Sequence, residues 1–285
     1  MPYQFLPITS QEIDRDHAKM VVIPVPFDHT ASYKTGARDG PQAILTASKN
    51  LELYDEETGT EVYKQGFYTL EPLEPVLPVE AMVREIRKTV ESVLQNGRFP
   101  IVLGGDHSVS IGAIEAACNH FGRINIVQFD AHTDMRESYS GTPYSHACVM
   151  RRVWGLGNVI QIGQRATSLE EMAFLQAENR PPIWARDVAA DRKQAIYTLL
   201  NRMESLPTYI TIDLDCLDPS IMPATGTPEP GGLGWFDLLE CLKAILSRTQ
   251  VIGFDVVELS PLPGYHAADF LAARLIYKLA SYILS

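Results

Sequence analysis

The stretch INIVQFDAHTD, residues 124–134, runs a short apolar segment straight into Asp130, His132 and Asp134. Ile124–Phe129 is rich in Ile, Val and Phe and reads as a buried strand. Similar runs occur at Met20–Phe27, Phe99–Leu103, Val159–Ile162, Tyr209–Ile212 and Val251–Val256. The segments between them carry helical patterning. In Val79–Gln95, for example, Met82, Ile86, Val90 and Val93 recur at helical spacing before an Asn96-Gly97 stop, which predicts a surface helix with one buried face. Alternation of this kind is the pattern of βα units closing on a parallel sheet, so the expected class is α/β.

With 285 residues, 46% of them apolar, the chain can bury a sizeable core, and no composition break marks a linker. A single domain over 1–285 is expected. The formal charge of -11 argues against a nucleic-acid or anionic-membrane surface and favours a cationic substrate. Cys118, Cys148, Cys216 and Cys241 show no paired spacing, and no signal segment or membrane-spanning run is evident. The expectation is a soluble cytoplasmic protein with free thiols. One irregular segment, Pro219–Gly234, is too rich in Pro and Gly for regular structure, and structured loops of this length tend to shape binding sites.

In open parallel sheets, ligands bind beyond the carboxyl ends of the strands. Four of the expected strands deliver polar groups there: Phe99–Leu103 leads into His107, Ile124–Phe129 into Asp130, His132 and Asp134, Tyr209–Ile212 into Asp213 and Asp215, and Val251–Val256 into Glu258. Four aspartates crowded at one edge need protons or cations, because close like charges cost a few kcal/mol per pair at effective dielectrics of about 20. Alternating positions 130/132/134 and 213/215 let side chains on one side of an extended segment converge. Two imidazoles with four carboxylates and no thiolate suit Mn²⁺ best, so a binuclear Mn²⁺ site is expected. A lone Asp-x-Asp after a strand is usually a turn or cap; three such segments at three strand ends carry the signal together. His17, His29, His120 and His266 take surface or packing roles by default, and Cys148 and Cys216 read as small buried apolar residues.

Together GGDHS (104–108), DAHTD (130–134), TIDLDCLDP (211–219), GTPEPGG (226–232) and DVVELSP (255–261) resemble the ureohydrolases, the family of arginase, agmatinase, guanidinobutyrase and formiminoglutamase. The stretch IPVPFDHTASYKTGARDGPQAI (23–44) resembles that family's opening, so the likeness covers nearly the whole chain. It implies an arginase-like three-layer α/β/α fold with a mainly parallel sheet, two Mn²⁺ per subunit, and a homotrimer or homohexamer. By matching motif, His107, Asp130, Asp134 and Asp213 would hold one ion, and Asp130, His132, Asp213 and Asp215 the other. A metal-bridging hydroxide would attack the guanidinium carbon. Asp134 would pass a proton to the leaving amine, Glu258 would pair with guanidinium nitrogens, and His146 would shuttle protons or orient substrate from its loop, where Ala147 replaces the usual Gly.

Within the family, arginases anchor an α-carboxylate with an Asn where this chain has Arg136, and an α-amine with aspartates where it has Ala166 and Ser168. The resemblance is therefore closest to agmatinase, which yields urea and putrescine. Arg136 has two readings: a cation facing the pocket would favour guanidinobutyrate, and a salt-bridged loop arginine would not. Further alternatives are arginase itself, a two-metal amine deacetylase, and a catalytically silent relative with a structural or regulatory role.

Overall fold

The computed structural model describes residues 4–8 and 17–285. In chain order the elements are β1 Met20–Pro24, α1 Gly40–Ser48, β2 Phe67–Thr69, α2 Val79–Gln95, β3 Phe99–Leu103, α3 Val109–Phe121, β4 Asn125–Phe129, α4 Val149–Val153 and β5 Asn158–Gln164. These are followed by α5 Leu169–Ala177, β6 Ile183–Trp184, α6 Ala185–Ala190, α7 Arg192–Arg202, β7 Thr208–Asp213, α8 Trp235–Arg248, β8 Val251–Val257 and α9 Ala267–Leu284. Eight strands form one sheet in the order β2-β1-β3-β8-β7-β4-β5-β6, and every neighbouring pair is parallel.

Because strand side chains alternate between faces, the two apolar sets sort the helices into layers. On one face Val22, Leu103, Phe129, Ile162, Ile212 and Val256 pack with α1, α6, α7, α8 and α9. On the other, Val21, Ile23, Val102, Ile126, Val159 and Ile252 pack with α2, α3, α4 and α5. The result is the three-layer α/β/α arrangement.

The expected strands are all present. The first ends at Pro24, since Pro24 and Pro26 break the ladder early. The fourth is longer than expected, Asn158–Gln164, because Gln164 is buried in it rather than lying beyond its end. Two strands were not expected: β2 and β6, three and two residues long, close the sheet edges. Short edges limit pairing with other chains. Helix α2 matches its expected bounds, with Gly97 at φ 68 just past its end. Residues 219–234 hold no helix and no strand beyond one isolated bridge at Leu233. No helix among the described residues is long and apolar enough to cross a membrane.

Candidate metal centre

The ends of β3, β4, β7 and β8, adjacent at the middle of the sheet, bring the sequence-predicted residues together. After β3 the chain passes very close to the loop behind β1: a Cβ on Gly105 would lie 1.9 Å from the carbonyl oxygen of Phe27, so only glycine fits there. The turn then delivers His107, whose backbone N–H donates to Glu258 Oε1 at 2.8 Å. Glu258 itself has φ 66 and Asp134 φ 51, a left-handed conformation that costs a non-glycine residue free energy and clusters at functional sites. Asp213 ends β7, and its side chain accepts from Asp215 N at 2.9 Å, which turns Asp215 back toward the same edge.

Three carboxylate oxygens face His107 Nδ1: Asp134 Oδ2 at 2.9 Å, Asp130 Oδ2 at 3.1 Å and Asp213 Oδ2 at 3.5 Å. His132 Nδ1 lies 3.0 Å from Asp215 Oδ2 and 3.6 Å from Asp130 Oδ1. Among the described residues two groups of three have donor atoms within 4.8 Å of one another, His107/Asp130/Asp134 and Asp130/His132/Asp215. Asp130 is common to both, while Asp213 falls outside both groups of three and touches the first through His107. The buried His107 Nδ1 has no hydrogen-bond partner of acceptable geometry, although it faces three carboxylates. Such an orphaned donor atom, in a set of imidazole and carboxylate ligands, fits a divalent cation.

Electrostatics point the same way. With protein charges alone, burial and the Asp130 charge push the Asp134 carboxyl up to about 7. Burial, then Asp215, Asp130 and Glu258, drive Asp213 well above the carboxylate range. Burial would lower His132, yet the carboxylates of Asp215 and Asp130 hold it at about 12. Protons therefore compensate the cluster unless metal does. A raised folded-state pKa means that protonated Asp134 contributes stability below about 3.8, and that this contribution is lost as pH climbs through about 7. Divalent ions bind the deprotonated ligands. The rise in melting temperature on adding Mn²⁺ to metal-stripped protein should consequently grow between pH 5 and pH 8 in a thermal-shift series; an increment independent of pH would contradict this electrostatic account.

Beneath the candidate ligands, register neighbours on β5, β4, β7 and β8 form a buried polar row: Gln161, Gln128, Thr211 and Asp255. Gln161 Nε2 donates to Gln128 Oε1 at 2.6 Å, and Gln128 Nε2 donates to Asp130 Oδ2 at 2.7 Å. Thr211 Oγ1 donates to Asp255 Oδ1 at 2.6 Å and lies 2.8 Å from His107 Nε2. With the hydroxyl proton committed to Asp255, Thr211 accepts from Nε2–H, which turns the other ring nitrogen of His107 toward the carboxylates. Outer partners of this kind orient metal-binding histidines.

A family model described as "Arginase family" matches residues 18–281. The chain belongs to the arginase family. It is 40% identical over 273 residues to an N(1)-aminopropylagmatine ureohydrolase of Synechocystis sp., covering 93% of this chain and 89% of the relative. An agmatinase of Pyrococcus horikoshii is 33% identical, with 93% and 92% covered. Among solved structures, the agmatine ureohydrolase of Thermoplasma volcanium superposes with a TM-score of 0.86 at 34% identity, covering 94% of this chain and 90% of that one.

Around this arginase-family site the structure adds residues that the sequence reading did not single out. Asp106 is fully buried and accepts from Thr30 N at 2.8 Å and Thr30 Oγ1 at 2.9 Å; Thr30 Oγ1 in turn accepts from His146 N at 2.9 Å. Asp106 thus ties the loop after β1 to the loop that carries His146. Burial keeps His146 below its ordinary value, hence neutral near pH 7, with the ring edge-on to Tyr139 at 5.7 Å. Ala147 occupies a short 3-10 turn and is not among the positive-φ residues, so its methyl group fits without strain. Arg136 lines the pocket and is paired there: its Nε lies 4.0 Å from Glu171 Oε2 and its guanidinium 5.0 Å from the Tyr139 ring. Glu171 also accepts from Thr133 Oγ1 and Met135 N, both at 2.9 Å, and forms a capping box with Ser168 at the start of α5. The arginase-type aspartates absent at 166 and 168 are thus replaced by a pocket-lining alanine and a helix cap. Cys148 and Cys216 are buried and free, as their default reading had it.

Proposed function

We propose that this chain hydrolyses agmatine to urea and putrescine at two Mn²⁺ ions held by His107, Asp130, His132, Asp134, Asp213 and Asp215. The observation that carries the reading is Asp130 shared between two candidate ligand groups, whose other members His107, Asp134, His132 and Asp215 line one pocket with Glu258. When bound, two such ions supply water activated near neutral pH. The remaining work falls to the protein. Glu258 spends Oε1 on the His107 amide and keeps Oε2, beside Gly226, for a guanidinium N–H. Asp134 carries a proton from the attacking water to the leaving nitrogen, and neutral His146 orients the substrate or relays that proton. In balance, the water oxygen bonds to the guanidinium carbon, the bond from that carbon to the alkyl nitrogen breaks, and the freed amine takes up both protons of the water, leaving as the ammonium ion beside neutral urea.

The far end of the pocket supports an amine tail over a carboxylate tail. Arg136 is matched by Glu171, and positions 166 and 168 offer no carboxylate for an α-amine. A second reading, N(1)-aminopropylagmatine as substrate, is favoured by the 40% identity to an N(1)-aminopropylagmatine ureohydrolase. Steady-state urea release with agmatine, N(1)-aminopropylagmatine, arginine and 4-guanidinobutyrate tests both: the two amines should be turned over with kcat/KM at least about tenfold above the others, one charge-assisted contact being enough for that margin. Faster urea release from arginine or guanidinobutyrate would overturn the reading, and acetate release from an acetylated amine in place of urea would mark a deacetylase. We further propose that the chain acts in the cytoplasm as a homotrimer or a hexamer of two trimers, which light scattering distinguishes.

A further inference from the structure

The pocket over the candidate metal centre encloses about 310 Å³, and beyond Glu258 and the metal-binding residues its charged lining consists of Lys34, Arg136, Glu171 and Glu229. Three of these four are already engaged. Arg136 faces Glu171 and the Tyr139 ring; the carboxylate of Glu171 accepts from Thr133, Met135 and Ser168; Lys34 Nζ donates to the carbonyl of Ser260 at 3.3 Å. Glu229 differs. Among the described residues its carboxylate has no ion pair and no hydrogen bond, while its backbone is fixed. Arg165 Nε and Nη2 donate to the Glu229 carbonyl at 3.1 and 2.7 Å, and the same guanidinium holds the carbonyl of Asp215 at 2.7 Å. Pro228 and Pro230 flank it, which restricts the backbone further. An unmatched carboxylate on a fixed support inside a half-enclosed pocket is a preorganised cation acceptor.

Its place in the chain bounds the spacing. Gly226 adjoins Glu258 Oε2, where the guanidinium is read to bind, since a Cβ there would lie 3.6 Å from that oxygen. Three residues of chain reach at most about 10 Å from Gly226 to Glu229, a length on the scale of an extended guanidinobutyl amine. We infer that Glu229 is the specificity-determining residue that binds the ammonium at the end of the substrate remote from the guanidinium. The inference rests on the guanidinoalkylamine reading above.

The test compares agmatine with butylguanidine, which has the same guanidinobutyl chain and no amine, on Mn²⁺-loaded wild-type and Glu229→Gln enzyme. The wild-type preference for agmatine, taken as the ratio of kcat/KM values, should fall about 10- to 100-fold in the variant, with the change in KM and not in kcat, as for one lost charge-assisted hydrogen bond. Glu229→Asp should restore part of it. An unchanged ratio, or an equal loss on both compounds, overturns the assignment. Should wild-type protein release no urea, the same contrast is read as calorimetric Kd values for the two compounds on the loaded protein. Discrimination that depends on Glu229 without turnover would then sink the hydrolase reading and uphold this one; no discrimination would sink this one.

Discussion

Asp130→Asn is expected to lower kcat/KM for urea release by at least about 1,000-fold, or about 4 kcal/mol at 1.36 kcal/mol per tenfold. No other residue belongs to both candidate ligand groups. Its two oxygens are divided: Oδ2 lies 3.1 Å from His107 Nδ1, and Oδ1 lies 3.6 Å from His132 Nδ1 while accepting from His132 N at 2.6 Å. Asparagine keeps the size and loses the charge, so one substitution weakens both ion sites. Metal analysis of dialysed protein is the independent readout, and it should show less than one ion retained per chain. Full metal content with full activity would remove Asp130 from the account.

Glu258→Gln has the second largest expected effect, a loss of about 100- to 1,000-fold in kcat/KM with metal content retained. The glutamine carbonyl can still accept from His107 N, so the turn that presents the histidine survives. What disappears is the negative charge beside Gly226, and one to two charge-assisted hydrogen bonds with it, each contributing about 1.5–3 kcal/mol. Burial followed by the nearby Asp106 charge raises the Glu258 carboxyl well above its ordinary value, so a cationic guanidinium is also the partner that would keep it ionised. Saturation kinetics together with metal analysis distinguish this outcome from a collapsed site, in which metal would be lost as well.

How far the sequence carried these conclusions depended on how local the determinant was. The central strands were legible because burial on both faces leaves runs of Val, Ile and Phe, as in Phe99–Leu103, whose bounds match. The edges were not, because Phe67–Thr69 and Ile183–Trp184 are too short to show a period. The six candidate ligands and Glu258 were legible because each sits just past such a run. The polar row under them was hidden, since Gln128, Gln161, Thr211 and Asp255 become neighbours only through parallel register. Gln164 fell outside the expected strand for the same reason. Arg136 could not be oriented from sequence either: its direction is set by Glu171 on another element and by the ring of Tyr139. That the Glu229 carboxylate has no partner among the described residues is likewise visible only in the folded chain.

The central claim, a guanidino hydrolase that works through two ions sharing Asp130, is tested most directly by titrating metal-stripped enzyme with Mn²⁺ while following urea release from agmatine. Activity should be negligible without metal and rise to saturate at two ions per chain. Saturation at one ion per chain, or urea release undiminished in the stripped enzyme, would contradict it.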